Sequence, residues 1–418
     1  MTSTSTFTLA FLAALATSVA LRIWLATRQY RHVTAHREAV PADFAAAVPL
    51  DDHRKAADYT LAKIRLSLVS LAVDTPLLLA LTLGGLLHTF DQWWAGVLGD
   101  RGNAYGLALF ASVGILSFVV DLPFAIYRTF VLEARFGFNK MTPRLFVTDL
   151  VRQAVLAAVI GAPVLLAVFW LMSAMGEGWW LYVWLFWLGF NLLVMLLYPT
   201  LIAPLFNKFS PLPEGELKSR IEALLARCGF KSSGLFVMDG SKRSAHGNAY
   251  FTGLGQAKRI VFFDTLIEKL NPGEVEAVLA HELGHYKRRH IWKRIAVIGA
   301  LSLALLWLLG RLITEPWFYE GLGVSTPSTA MALMLFMQAL PAFLFPLTPL
   351  ASQLSRRHEY EADAYAVAQS NAGDLVSALV SLYRDNAATL TPDPIHSLFY
   401  DSHPPASLRV ARLRGSAA

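Results

Sequence analysis

Two histidines and a glutamate in the second half of the chain have the spacing of a metal site. His281 and His285 belong to the sequence HELGH, and residues four apart share one face of a helix. Their imidazole nitrogens can therefore bind one Zn²⁺, while Glu282 lies beside them and can accept a proton from an attacking water. This pattern predicts a zinc site that hydrolyses peptide bonds.

A catalytic zinc site needs a third protein ligand and leaves its fourth position to water. The best candidates lie in SRRHEYEADAYA, residues 355–366. Glu359 can bind the metal, and Asp363, on the same helix face, can accept the free N–H of a ligand histidine. Spacing alone leaves His358 as an equal alternative to Glu359, and Glu361 lies roughly on the opposite side of the helix.

Local signals place HELGH on a helix within a polar segment of mixed α and β structure. Asn271, Pro272 and Glu274 supply an N-cap, a first-turn proline and a capping-box acid, so the helix begins there. An amphipathic helix is predicted upstream, at Glu214–Cys228. Short β patterns predict three strands, at Gly234–Met238, Asn248–Thr252 and Arg259–Phe263.

The composition requires a membrane. The 418 residues are 55% hydrophobic and 16% charged, with a mean hydropathy of +0.46. Soluble domains carry about 25% charged residues, and a soluble fold of this length has too little interior for so much apolar surface. The net charge of +6 comes without a long basic run, so basic loops beside membrane spans explain it and no nucleic-acid partner is expected. The single cysteine, Cys228, excludes an internal disulfide.

Seven stretches are long and apolar enough to cross a bilayer. They are Phe7–Ala26, Leu66–His88, Ala104–Tyr127, Gln153–Met172, Trp179–Leu201, Ile291–Gly310 and Thr329–Leu350. Basic residues concentrate in the loops after the first and third spans, which predicts a cytoplasmic C-terminus and active site and an outside N-terminus. Four residues before the sixth span are interpreted as interfacial anchors: Lys287, Arg288, Arg289 and His290.

These motifs together resemble the M48 family of integral-membrane zinc metalloproteases, specifically its CaaX prenyl protease type 1 (Ste24-like) branch. The resemblance rests on HELGH and on residues 355–366, and it extends to FVLEARFGFN at 130–139, HGNAY at 246–250 and SHPP at 402–405. It covers almost the whole chain. It implies a polytopic α-helical membrane protein whose seven transmembrane helices form a barrel-like chamber, with a small α+β zincin-type domain.

The resemblance also implies the metal, its ligands and the activity. It selects Glu359 over His358 as the third ligand of one Zn²⁺ per chain, beside His281 and His285, and it makes Asp363 the hydrogen-bond partner of a ligand histidine. The implied activity is removal of the C-terminal tripeptide from prenylated CaaX proteins or peptides. The expected substrate is a peptide or protein, with or without an isoprenyl group, and the oligomeric state stays open.

Four further residues are implied in substrate binding and catalysis. Asn248 and Ala249 are expected on an edge strand, where substrate backbone would add as another strand. His403 and Arg409 are expected to face the scissile carbonyl and to stabilise its oxygen as charge develops.

The predicted organisation has four parts. Residues 1–204 form a membrane region with five spans, residues 205–290 a cytoplasmic metalloprotease segment, residues 291–352 spans six and seven, and residues 353–418 a catalytic segment with the third ligand.

Two alternatives stay open: a quality-control protease of the heat-shock branch, and a non-enzymatic membrane scaffold with structural zinc. A terminal GSAA without a basic retrieval signal leaves a bacterial inner membrane and the endoplasmic reticulum equally expected, and the Ala/Leu/Arg-rich composition favours the bacterial membrane.

Overall fold

The computed structural model describes residues 2–252 and 258–416, and most of them are helical. The helices are α1 (Ser3–Ala35), α2 (Leu50–Leu81), α3 (Leu86–Leu98), α4 (Asn103–Tyr127), α5 (Pro143–Ala174), α6 (Trp179–Leu197), α7 (Ala203–Phe206), α8 (Glu216–Arg227), α9 (Asp264–Lys269), α10 (Pro272–Lys287), α11 (His290–Leu312), α12 (Pro316–Glu320), α13 (Thr329–Leu344), α14 (Thr348–Gln369), α15 (Ala372–Asp385), α16 (Pro394–Tyr400) and α17 (Ala406–Ser416). The strands are β1 (Phe209–Pro211), β2 (Leu235–Met238), β3 (Ala249–Thr252) and β4 (Arg259–Phe263).

Seven helical stretches among the described residues are long and apolar enough to cross a bilayer, as the sequence predicts. They are Ser3–Ala35, Leu50–Leu81, Asn103–Glu133, Pro143–Ala174, Gly176–Phe206, His290–Leu312 and Thr329–Gln369. Large apolar side chains are exposed on them, including Val159 at 65% and Leu350 at 70%. Exposed apolar surface of this kind is stable against lipid and unfavourable against water.

Two spans end at different places from the prediction. The second was expected at Leu66–His88, but α2 ends at Leu81 and a separate helix, α3, follows. Between them Gly85 has a φ of 78°, a left-handed conformation that interrupts a helix. The seventh span was expected to end at Leu350, but a short 3₁₀ turn joins α13 to α14, which continues to Gln369.

One end of the helix bundle is closed by an apolar core. Phe11 of α1, Tyr105 of α4, Phe169 of α5, Leu309 of α11 and Met331 of α13 are all buried there. Leu309 lies near the C-terminal end of α11, whereas HELGH precedes the N-terminal end of that helix. The membrane helices are therefore fixed to one another at the end far from the predicted metal site.

The polar segment contains a mixed sheet with strand order β1-β2-β4-β3. β2 and β4 are parallel, and the two outer pairs are antiparallel. β3 is therefore an edge strand among the described residues. Strands β2, β3 and β4 lie where the sequence predicts them, but β1 was missed because its three residues are too few for an alternating pattern.

Helix α10 begins as predicted and crosses α14 in direct backbone contact. The Asn271 side chain accepts from the Glu274 N–H, and the Glu274 side chain accepts from the Asn271 N–H, which forms the capping box. At the crossing, a Cβ added to Gly284 would lie 2.8 Å from Ala362 Cα and 3.0 Å from the Ala362 carbonyl oxygen. Only glycine allows the two helices to approach this closely at that point.

Replacing Gly284 tests whether this close approach matters. We expect Gly284→Ala to lower the free energy of unfolding by about 1–3 kcal/mol, the usual cost of overpacking, and to reduce metal content, because the helices must separate. Thermal unfolding and metal analysis of the purified protein measure both effects. Gly161→Ala is the matched control, since nothing lies within 4 Å of the added Cβ. Equal stability and metal content in the two variants would contradict the expectation.

Candidate metal centre and substrate cleft

The α10–α14 crossing brings His281, His285 and Glu359 together. The Nε2 atoms of the two histidines are 3.2 Å apart. The Glu359 carboxylate lies 3.4 Å from His281 Nε2 and 3.3 Å from His285 Nε2. Glu359 Oε2 is buried and has no hydrogen-bond partner among the described residues, as expected for an oxygen that binds a cation. Two imidazole nitrogens and one carboxylate oxygen form a donor set that fits a divalent metal.

Asp363 and Arg409 hold His281 from the side opposite Glu359. His281 Nδ1 lies 2.9 Å from Asp363 Oδ1, so Nδ1 donates the hydrogen bond and Nε2 presents its lone pair to the site. Arg409 donates to both Asp363 oxygens, at 2.6 and 2.9 Å, and is 5% exposed. Burial lowers the pKa of His281, but the nearby carboxylates of Asp363 and Glu359 outweigh this and raise it to about 9. The surrounding carboxylates therefore favour a cation at this position.

The interpretation of His290 as an interfacial anchor is wrong. Its side chain is buried, its Nδ1 lies 3.0 Å from His285 Nδ1, and its Nε2 donates to Glu361 at 3.0 Å. This chain of hydrogen bonds orients the His285 ring and directs its Nε2 toward Glu359. His358, the alternative third ligand, instead stacks on His290 with ring centroids 4.0 Å apart.

Glu282 lines a cleft of about 420 Å³ that lies beside His281, His285 and Glu359. The cleft is also lined by residues from β3 and by His403. Burial raises the pKa of Glu282, against the opposing influence of His281 and His285. A carboxylate with a raised pKa is a stronger base than an exposed one, as a proton acceptor at neutral pH requires.

His403 reaches the cleft from the segment between α16 and α17. Its Nε2 lies 3.4 Å from Glu359 Oε1, and its Nδ1 lies 2.9 Å from Ser402 Oγ. The side chain is 57% accessible and opens onto the interior cleft. Desolvation inside the cleft lowers the pKa of His403, Glu359 opposes this, and nearby Arg409 lowers it further.

Asn248 and Ala249 line the same cleft at the start of the edge strand. The Asn248 carbonyl accepts from the Phe263 N–H at 3.0 Å, and Ala249 is paired with Phe262 of β4. The Ala249 N–H donates to the Asn248 side chain at 2.8 Å. The Asn248 carbonyl and the Ala249 N–H are therefore both engaged within the chain at the point where β3 meets the cleft that Glu282 also lines.

The loop before β3 is held by contacts that the sequence did not reveal. His246 Nδ1 lies 3.2 Å from Asn386 Oδ1, and its Nε2 lies 3.5 Å from Glu133 Oε2. Its ring stacks on Phe138 with centroids 4.3 Å apart. The stretch 130–139, at the end of a membrane helix, therefore fixes the position of the edge strand.

Two family models together match most of the chain. Residues 29–208 match "CAAX prenyl protease N-terminal, five membrane helices", and residues 211–417 match "Peptidase family M48". The chain is 35% identical to the "CAAX prenyl protease 1 homolog" of Arabidopsis thaliana, covering 92% of this chain and 93% of that one. It is 37% identical to "CAAX prenyl protease 1" of Saccharomyces cerevisiae, covering 74% and 72%.

A solved structure is similar over nearly the full length. The crystal structure of S. mikatae Ste24p has a TM-score of 0.89 and 32% identity, and the match covers 97% of this chain and 98% of that one. The predicted fold class, a polytopic α-helical membrane protein with seven spans and a small α+β domain, is confirmed.

The role of His290 can be tested through metal affinity. We expect His290→Ala to weaken Zn²⁺ binding about 10–100-fold, the usual effect of removing the partner of a ligand histidine. Competition with a chromophoric chelator measures this affinity without any peptidase assay. His358→Ala is the matched control, because His358 contacts His290 only by stacking. A larger loss in the His358 variant would show that His358 is the ligand.

Proposed function

The chain belongs to peptidase family M48, and from this premise we propose that it is a membrane-embedded zinc metalloendopeptidase of the CAAX prenyl protease 1 type. It is a multi-pass membrane protein and a metalloprotease. Its reaction is removal of the C-terminal tripeptide from prenylated CaaX proteins or peptides. The observation that supports this best is the convergence of His281, His285 and Glu359 beside Glu282 and the edge of β3.

Zn²⁺ is the proposed metal, one per chain. His281, His285 and Glu359 would hold it, and an N,N,O set of three protein ligands is typical of catalytic zinc. Bound zinc supplies Lewis acidity, which lowers the pKa of water and polarises a carbonyl. Asp363 and His290 fix the orientation of the two imidazoles, so the ligands need little rearrangement.

Glu282 is the proposed general base and acid. It takes the proton of the attacking water as the water oxygen bonds to the scissile carbonyl carbon. It then returns the proton to the amine nitrogen as the peptide C–N bond breaks. Burial, which raises the pKa of Glu282, supports both steps, because the group must accept and release a proton near neutral pH.

His403 and Arg409 are proposed to stabilise the developing oxyanion. The His403 imidazole carries an N–H in either protonation state, so it can donate a hydrogen bond to an oxyanion in the cleft. Arg409 uses Nε and Nη2 on Asp363, while its Nη1 lies 3.8 Å from Glu359 Oε2. Arg409 therefore supplies positive charge at the site as well as positioning Asp363. Each such donor is typically worth a few kcal/mol of the barrier.

The substrate backbone is proposed to add to β3 at Asn248 and Ala249, as peptides add to exposed sheet edges. A second cavity of about 710 Å³ joins the cleft at His403 and Arg409 and extends between α1 and α2. About half of its lining residues are apolar, among them Ile64, Leu68 and Leu71 of α2, and the others are polar or charged, so the cavity can take both the apolar chain and the polar backbone of a lipidated peptide tail. We propose that this cavity holds the part of the substrate beyond the scissile bond or its isoprenyl chain.

The proposed topology places the active site and C-terminus on the cytoplasmic side and the N-terminus outside, supported by the basic loops after the first and third spans. A bacterial inner membrane is the proposed location, supported by the Ala/Leu/Arg-rich composition.

The two alternatives explain fewer observations. A structural zinc site is closed by four protein ligands, whereas the metal-ligand group found in the described part of the chain has three members. Quality-control proteases of the heat-shock branch have fewer membrane spans than the seven predicted for this chain. Residues 29–208 alone match a five-helix membrane region.

The role of Glu282 is tested by a substitution that keeps its size. We expect Glu282→Gln to reduce kcat about 10²–10⁴-fold, the usual contribution of a positioned proton-transfer group, while zinc content stays the same. Peptide cleavage and metal analysis give the two readouts. Glu268→Gln, on the exposed face of α9, is the control and should keep wild-type activity. Turnover by the Glu282 variant within tenfold of wild type would contradict the mechanism.

The substrate class is tested with paired peptides. We expect a farnesylated CaaX peptide to be cleaved with a higher kcat/KM than its unfarnesylated counterpart, because the isoprenyl chain gains apolar burial in the cavity. Phenanthroline should abolish both activities. Equal cleavage of unprenylated, misfolded membrane proteins would favour the heat-shock alternative. Stoichiometric zinc without cleavage of any peptide would favour the structural one.

A further inference from the structure

A basic pocket of about 660 Å³ lies beside helix α14 and shares none of its lining residues with the substrate cleft. Four arginines line it, and the one carboxylate among the lining residues is Glu361. The arginines are Arg288, Arg356, Arg357 and Arg412. None of the proposed catalytic steps uses this pocket.

The positive charge of Arg288, Arg356 and Arg357 is only partly neutralised. Glu361 is shared among His290, Lys293 and Arg357, at 3.0, 3.5 and 3.4 Å. Arg356 donates to uncharged acceptors, namely the Ser397 carbonyl and hydroxyl and the Asp401 carbonyl. Within residues 2–252 and 258–416, no carboxylate lies within 4 Å of the Arg288 guanidinium. A multivalent anion would therefore be stabilised here.

The mouth of the pocket lies where two helices change from apolar to basic surface. On α14, Leu350 is 70% exposed, and the exposed side chain of Arg357 follows two turns later. On the other side, Arg288 precedes α11, whose first turn exposes Ile291 and Trp292. Tryptophan and arginine at such a boundary are typical of the headgroup region of a bilayer. Both helices thus place the pocket at headgroup depth.

We propose that this pocket binds the phosphate headgroup of an anionic phospholipid. The guanidinium groups would pair with the phosphate oxygens, and the acyl chains would lie along the exposed leucines of α14. Basic pockets between membrane helices bind anionic headgroups in this way. Lipid binding at this pocket does not require peptide cleavage, so this proposal and the proposed function are tested separately.

The test uses the purified full-length protein and native mass spectrometry of bound lipid. Wild type, offered equal amounts of phosphatidylglycerol and phosphatidylcholine, is expected to retain phosphatidylglycerol. Arg288→Gln with Arg357→Gln should weaken that binding about thirtyfold, since each basic residue near an anionic lipid is worth roughly fivefold. The charge-matched control replaces Lys231 and Lys269, both exposed and outside the pocket, with Gln. It should bind within twofold of wild type.

Four outcomes would overturn the proposal. The first is equal retention of the two lipids by wild type. The second is equal loss of phosphatidylglycerol in the arginine and lysine variants, which would indicate general surface charge. The third is complete displacement of the lipid by millimolar inorganic phosphate, which would indicate a soluble ligand. Arg357→Gln alone changes only an exposed side chain, and wild-type binding by this folded variant would also contradict the site.

Discussion

The backbone contact between Gly284 and Ala362 is the constraint on which the metal site depends. It sets the distance between α10 and α14, and every candidate ligand lies within two turns of the crossing. α14 continues the seventh membrane span, and α11, the sixth span, begins directly after α10. The two helices that bring the ligands together are therefore also the ones that connect the polar domain to the membrane bundle. The closed apolar end of that bundle holds both in place.

Several of the charged groups buried at this crossing are stabilised by partners. Asp363 is held between His281 and Arg409, and His290 lies between His285 and Glu361. An unpaired charge in such a place would cost several kcal/mol. Glu359 Oε2, by contrast, is buried and has no hydrogen-bond partner among the described residues. The polar network thus orients both imidazoles and leaves one buried oxygen for a cation.

The sequence predicted the features that depend on local patterns. The capping box at Asn271 and the four-residue spacing of HELGH fix a helix and one of its faces, whatever the rest of the chain does. The choice between Glu359 and His358 needs the angle at which α14 meets α10, which two intervening membrane spans conceal. His290 was misread because Arg289, with a φ of 56°, turns the chain between α10 and α11, so helical periodicity no longer relates His290 to His285.

Zinc K-edge X-ray absorption of the purified protein tests the central claim most directly, because it counts the ligands at the metal. The structure predicts two imidazole nitrogens at about 2.0–2.1 Å and low-Z oxygen ligands from one carboxylate and water. Two imidazoles and no sulfur would agree with a site built by the α10–α14 crossing. Three or more imidazoles, or a sulfur ligand, would contradict it.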